Sequence, residues 1–222
     1  ALLDIKGNFK SSIPVMMNLL NIKGNILPLT EDNADLIGIT ENGKKIIGEE
    51  QITKCASKIK KVEYNRKITV NPDVLEAVNN ADLIIFSSGS LLTSIAPHLI
   101  NKELVRAIKK AKAPKMYICN LFTQPGETDN FTVSDHIKTL ENYLGSKNIN
   151  VVVANNNMLN NELVNIYQTK EQKDPVQLDM DNLKKLNVEV LADNLAKVED
   201  SVYRHDSLKT AYLIFSYLMN NA

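Results

Sequence analysis

The chain has 222 residues, 44% of them hydrophobic, with 26 Lys+Arg against 26 Asp+Glu. That is enough chain to enclose a sizeable core, and the zero net charge excludes bulk attraction to a nucleic-acid polymer or an anionic membrane, so any bound anion must be held by a local site. No apolar run reaches the roughly 18 residues of a membrane span, no leader pattern is visible, and Cys55 and Cys119 lack both zinc-type spacing and a disulfide framework, which points to a reducing, cytoplasmic setting.

Residues 1–23 read as helical, with Ile13, Met16, Met17, Leu19 and Leu20 at helical spacing and Pro14 in an early turn. Ala1-Leu2-Leu3-Asp4-Ile5 has no initiator Met and no helix-start signal, which suggests a fragment. Residues 26–70 form a β-rich excursion. Within it, Asp35–Thr40 and Lys44–Glu49 flank Glu41-Asn42-Gly43, a hairpin signal, and the charged, β-leaning run Ile59–Val70 extends the small sheet.

From residue 72 the pattern alternates. A helix over Pro72–Asn79 leads to a strand over Asp82–Phe86, and a helix near Lys102–Ala111 ends at Ala113-Pro114, because Pro114 biases its predecessor out of the α region. A strand over Lys115–Leu121 precedes a helix over Thr132–Leu144, with Gly145 as its C-terminal cap. A strand over Asn150–Asn155, a helix around Asn160–Tyr167 and a last short strand over Val188–Leu191 follow. The chain closes on a helix over Ser207–Asn220, N-capped by Asp206, with Leu208, Ala211, Tyr212, Phe215 and Leu218 as one apolar stripe. Continuous apolar strands alternating with helices indicate an α/β fold with a largely parallel sheet covered on both faces.

Ligands of such sheets lie beyond the carboxyl ends of the strands. Two segments occupy that position. In Ser87–Ser94, hydroxyls and free N–H groups around Gly89 suit a phosphate or sugar, although an ordinary Ser-rich connection fits equally and no P-loop Lys is present. In Phe122–Asn130, the turn at Pro125-Gly126 is surrounded by Thr123, Gln124, Glu127, Thr128 and Asp129. Glu127 and Asp129 read as solvated loop carboxylates, as partners of sugar hydroxyls, or as holders of Mg2+ through water. Thr132 and Asp135 read as a capping pair. Arg204, just before the last helix, reads as a phosphate partner or a surface cation, and Tyr167 as core or as a stacking face for a nucleobase. His98, His136 and His205 are isolated and read as structural or surface residues, and Cys119 reads as a buried thiol.

The sequence is similar to a known family over nearly its whole length. Ala81–Ile85, then Ser88-Gly89-Ser90-Leu91-Leu92-Thr93-Ser94-Ile95, Ala113–Asn120, Thr123–Asp129 and Ser134-Asp135-His136 occur in the order found in the CofD-like superfamily. The Thr-Gln-Pro-Gly-Glu-Thr-Asp run and Tyr203–Leu208 resemble its gluconeogenesis-factor (YvcK-like) branch rather than its phospholactate-transferase branch. The resemblance implies a Rossmann-like, three-layer sandwich, here a single domain over 1–222. Two departures stand out. Ser87-Ser88 occupies the place of a common Gly-Pro, and the opening strand, the Gly-rich loop and the Asp-Asp-Gly-Gly segment of family members have no counterpart in this sequence.

The resemblance further implies a regulatory binder of a nucleotide sugar, of the UDP-N-acetylglucosamine class, that links central carbon metabolism to cell-wall synthesis and cell shape. Its ligand-contact candidates are Ser88, Gly89, Ser90, Thr93, Ser94, Asn120, Thr123, Gln124, Gly126, Glu127, Thr128, Asp129, Tyr167 and Arg204. No cofactor, resident metal or catalytic residue is assigned, because no nucleophile–base pair can be identified. The alternative is a transferase that moves a phospholactate-type group from a nucleotide donor with Mg2+. A homo-oligomer, and a kinase acting at Ser207 beside Arg204, complete the expected partners.

Overall fold

A computed structural model describes residues 9–55 and 57–221. The first helix is seen as α1 (Phe9–Leu19), with Pro14 inside it, and the remainder of that expectation, residues 1–8, lies outside the described residues. The hairpin forms as read from the sequence. β1 (Leu36–Thr40) pairs antiparallel with β2 (Lys45–Ile47), Ile39 facing Lys45. Gly43 takes φ +83° and donates its N–H to the Thr40 carbonyl at 3.0 Å, the left-handed position that closes a three-residue hairpin loop.

After the short helix α2 (Glu49–Thr53), β3 (Ile59–Tyr64) joins the free side of β1, giving a sheet of order β2-β1-β3. The run expected to reach Val70 is a strand only as far as Tyr64. Leu36, Ile52, Ile59 and Val62 bury one face of this small sheet against Leu92 and Ala96.

The main sheet holds four parallel strands in sequential order: β4 (Ile84–Phe86), β5 (Lys115–Ile118), β6 (Val151–Asn155) and β7 (Glu189–Asp193). The intervening helices are α3 (Pro72–Asn79), which precedes β4, then α4 (Ala96–Leu99), α5 (Lys102–Lys110), α6 (Val133–Leu144), α7 (Asn161–Ile166) and α8 (Met180–Leu186). Local chemistry sets their ends. Asn71, Asn101 and Asn160 each accept from the first-turn N–H groups of α3, α5 and α7, and Thr132 with Asp135 forms the capping box of α6.

Period-two alternation divides the sheet between two cores. Tyr117 faces Val152 in the register, and both point into a core roofed by Leu91, Leu104, Ile137, Leu140 and Leu183. Met116 with Val151 and Ile118 with Val153 point to the opposite face, beneath Leu213, Ile214 and Tyr217 of α9 (Ser207–Asn221). Helices on both sides of a parallel sheet make the three-layer α/β sandwich, and burial on both faces is why these strands read as continuous apolar runs.

Four expectations need correction. The run over Val188–Leu191 is β7, and it is not the last strand. An antiparallel ribbon follows, β8 (Ala196–Glu199) and β9 (Val202–His205). Its turn holds Asp200 and Ser201 at φ +49° and +61°, a two-residue reversal that Gly usually announces and that here carries no Gly. Helix α8 has no counterpart in the sequence reading. Within Ser87–Ser94, only the first part is loop, because Ser90 caps a π-helical turn over Leu91–Ile95 that runs on into α4.

The stripe assigned to the last helix is also wrong. Leu208, Tyr212 and Phe215 are 82%, 70% and 66% exposed, while Thr210 and Tyr217 are buried and Leu213 and Ile214 pack on the sheet. The helix is apolar on nearly every side, so its periodicity does not choose a face, and contact with β5 and β6 does.

Candidate functional site

The loops after β4 and β5 meet at the carboxyl end of the sheet, and Glu127 joins them. Its carboxylate accepts from Ser90 Oγ at 2.7 Å, the Leu92 N–H at 3.1 Å, Thr93 Oγ1 at 3.5 Å and Gln124 Nε2 at 2.9 Å. Only 2% of the residue is exposed, and burial raises its pKa above the usual glutamate value against the pull of these donors. Glu127 is therefore a clamp across the two loops. Asn120 makes a second link. Its Nδ2 donates to the Ser88 and Gly89 carbonyls at 3.3 and 3.1 Å, and its Oδ1 accepts from the Tyr117 hydroxyl at 2.8 Å.

The turn at Pro125-Gly126 is held from outside the main sheet. Gly126 has φ +77°, donates to Asp129 Oδ2 at 2.9 Å, and its carbonyl accepts the Ile59 N–H at 2.8 Å. A Cβ at Gly126 would lie 2.7 Å from the Cys55 carbonyl oxygen, so the turn packs directly on the backbone of the small-sheet segment. Thr128 Oγ1 accepts the Gln124 N–H at 2.8 Å and closes the loop on itself.

Farther along the same edge, Thr123 exchanges backbone and side-chain hydrogen bonds with Asp174, at 2.8 and 2.9 Å. Phe122 stacks on Tyr167 with ring centroids 4.3 Å apart, and Tyr203 closes on both at 5.5 and 6.0 Å. The Tyr167 hydroxyl accepts the Tyr203 N–H at 3.0 Å. His205 Nε2–H donates to the Cys119 carbonyl at 3.0 Å, so β9 is fastened to the end of β5 on the face carrying Tyr203 and His205. Arg204 alternates to the other face and is exposed.

Two adjoining clefts open here. One, about 360 Å3, is lined by the run Asn155-Asn156-Asn157-Met158-Leu159 after β6, with Asn161 and Leu121. The other, about 480 Å3, lies between Thr123, Asn130–Thr132 and Gln168. Val164, Pro175 and Gln177 belong to both.

Ser88, Gly89, Ser90, Thr93, Asn120, Gln124, Gly126, Glu127, Thr128 and Asp129 come together as one bonded loop assembly. Ser94 lies exposed on the π-helical turn. Thr93, Thr123, Glu127 and Thr128 are buried, at 7%, 3%, 2% and 3% exposure, with their polar atoms turned to protein partners. Tyr167 belongs to the aromatic stack, and Arg204 stands apart from the assembly. Of all these residues, only Thr123 lines either cleft. The Asn155–Asn157 run and the Phe122 ring are not among the sequence candidates, although the same strand-end rule applied to β6 finds the first.

The histidines are structural. His98 bonds the Ser94 carbonyl at 3.0 Å, and buried His136 donates from Nδ1 to the Thr132 carbonyl at 2.9 Å. Its Nε2 has no partner, and burial lowers its pKa.

Comparison with known proteins places this architecture among relatives. The family model described as 2-phospho-L-lactate transferase CofD matches residues 1–196. The chain is 41% identical over 219 residues to a Thermotoga maritima relative, covering 96% of this chain and 68% of that protein. It is 34% identical over 219 residues to the gluconeogenesis factor of Bacillus subtilis, covering 98% of this chain and 69% of that one. The crystal structure of a UPF0052-family protein from Bacillus halodurans superposes with a TM-score of 0.90 at 34% identity, over 96% of this chain and 69% of the other.

Proposed function

The chain belongs to the CofD family, in its gluconeogenesis-factor branch, and from that premise we propose that it is a regulatory protein that binds a nucleotide sugar of the UDP-N-acetylglucosamine class. The observation that carries this reading is the strand-end junction, where the Phe122–Tyr167–Tyr203 stack stands beside two adjoining clefts. The clefts carry side-chain amides from Asn156, Asn157 and Gln177, while Asn155 is hydrogen-bonded to Asn157 and Leu195 and Gln168 to Asp174. Amides and apolar walls suit a neutral base and a neutral sugar, and each cleft is within the range of about 300–1,000 Å3 of small-molecule sites. The expected role is support of growth on gluconeogenic carbon sources and of cell shape.

The transferase reading depends on Glu127 and Asp129 at the reacting phosphate. Their engagement with Ser90, Leu92, Gln124 and Gly126 favours the binding role. Isothermal titration with UDP-N-acetylglucosamine tests the proposal. Saturable binding, weakened in Gln177→Ala, a residue that lines both clefts, is the expected result. No heat at millimolar ligand would refute it, and unchanged affinity in the variant would remove Gln177 from the site.

A further inference from the structure

Zero net charge conceals a strong segregation of charge. Residues 44–67 hold eight Lys/Arg and three Asp/Glu, and residues 102–115 hold six and one. The fold brings the ends of these two segments together. A cleft of about 810 Å3, larger than either strand-end cleft, opens between the end of β3 and the start of α5. Its lining carries Arg66 and Lys67 from the segment after β3, Lys102 and Arg106 from α5, and half-buried Tyr64.

Little within the protein answers this charge. All four cations are exposed, and among the described residues no carboxylate lies within 4.0 Å of any of them. Of the two acids in the lining, Glu63 is already engaged with Lys45 at 3.3 Å and Lys61 at 3.7 Å, which leaves Glu103 against four positive charges. The charge of Arg66 reaches Asp32, whose carboxylate accepts the Thr69 N–H. The walls are fastened together without a ligand, because Asn101 Nδ2 donates to the Ile68 carbonyl at 3.2 Å. The Asn101 side chain also takes the first N–H groups of α5, so attraction in this cleft comes from its cations.

We propose that this cleft is a second ligand site, for a small molecule carrying two or more phosphate charges. Two guanidinium groups on the lining of one preformed cleft offer forks of donors that suit phosphate oxygens, and two ammonium groups add point charges. The volume is that of a metabolite site. The location is separate from the strand-end junction. β3 touches Gly126 through Ile59 at one end and reaches this cleft through Tyr64 at the other, about 16–17 Å away at the rise of a β-strand.

Calorimetric titration of the purified protein with inorganic pyrophosphate, at about 0.1 M salt so that exposed charges are screened, tests the site. The expected result is submillimolar binding, weakened at least about tenfold in the Arg66→Ser/Arg106→Ser double variant and by a smaller factor in Arg66→Lys/Arg106→Lys, which keeps the charge but not the fork. Both arginines are exposed, so the unfolding temperature should not move, and circular dichroism checks that it does not. Gln177→Ala should bind pyrophosphate like the parent, which keeps this result distinct from the fate of the nucleotide-sugar site. No binding at millimolar pyrophosphate, or equal affinity in the serine double variant, would overturn the proposal. A preference of the same cations for a single-stranded RNA oligomer over pyrophosphate would also overturn it. A sugar bisphosphate run alongside pyrophosphate shows whether the scaffold between the phosphates is read.

Discussion

Glu127 is a carboxylate whose acceptor capacity is used inside the protein. In sequence it stands beside Asp129 as a loop acid, and nothing local says that Ser90, Leu92 and Thr93, over 30 residues away, will surround it. Glu127→Gln replaces one acceptor oxygen with a donor that faces other donors, which should cost about 1–3 kcal/mol. A denaturant titration checks this, whereas a ligand-contacting carboxylate would lose affinity with little change in stability. His136 gives a pH prediction. Burial holds its folded pKa below the ordinary 6.5, so the unfolded chain binds the proton first. Stability should be complete above about pH 6.5 and fall as the pH drops through that value, with lowered His205 contributing in the same direction. His136→Phe should make the midpoint of urea unfolding depend less steeply on pH between about 7 and 5. An unchanged slope would exclude His136 as the cause.

Elements whose ends are set by local chemistry agree with the sequence. Asn71 before Pro72 starts α3, Thr132 and Asp135 start α6, Gly145 follows its last turn at φ +88°, and Gly43 turns the hairpin. Elements that depend on a distant partner do not agree. Helix α9 is apolar nearly all round, and only its seat on Met116, Val151 and Val153 makes Tyr217 the buried ring rather than Tyr212. Tyr217→Ala should therefore cost about 3 kcal/mol through a cavity beneath the sheet. Tyr212→Ala, at 70% exposure, should stay within about 0.5 kcal/mol. Thermal unfolding of the two variants separates these outcomes, and a reversed order would mean that the helix is seated on its other face.

At the scale of the molecule, the two cysteines report on the core. Cys119 is 2% exposed at the carboxyl end of β5, and burial pushes its thiol up to about 12, while Cys55 is partly exposed on the small-sheet segment. A thiol reagent at neutral pH should label Cys55 in the folded protein. It should reach Cys119 only through global unfolding, at a rate that rises with denaturant. Labelling of Cys119 at the rate of Cys55 would show that the sheet opens locally. The small sheet meets the loop after β5 at Gly126, whose carbonyl accepts the Ile59 N–H, so that loop is also the joint between the two sheets.

The amino-acid sequence by itself determined the α/β class, the parallel strands, the hairpin at Gly43, the capped helices and the two strand-end loops. Each of these rests on short-range signals: apolar runs, turn residues and caps that act within a few positions. It also carried the family, because the loop motifs occur in order along the chain. Tertiary structure alone decided that Thr93, Thr123, Glu127 and Thr128 turn inward, that α9 buries Tyr217, that a Gly-free turn at Asp200-Ser201 makes a ribbon, and that Tyr167 stacks on Phe122. It also placed Arg66 and Arg106 on the lining of one cleft. A polar side chain near a strand end serves either the fold or a ligand according to which groups come within hydrogen-bond reach. Those groups arrive from parts of the chain 30 to 90 residues away, a separation over which local pattern carries no signal.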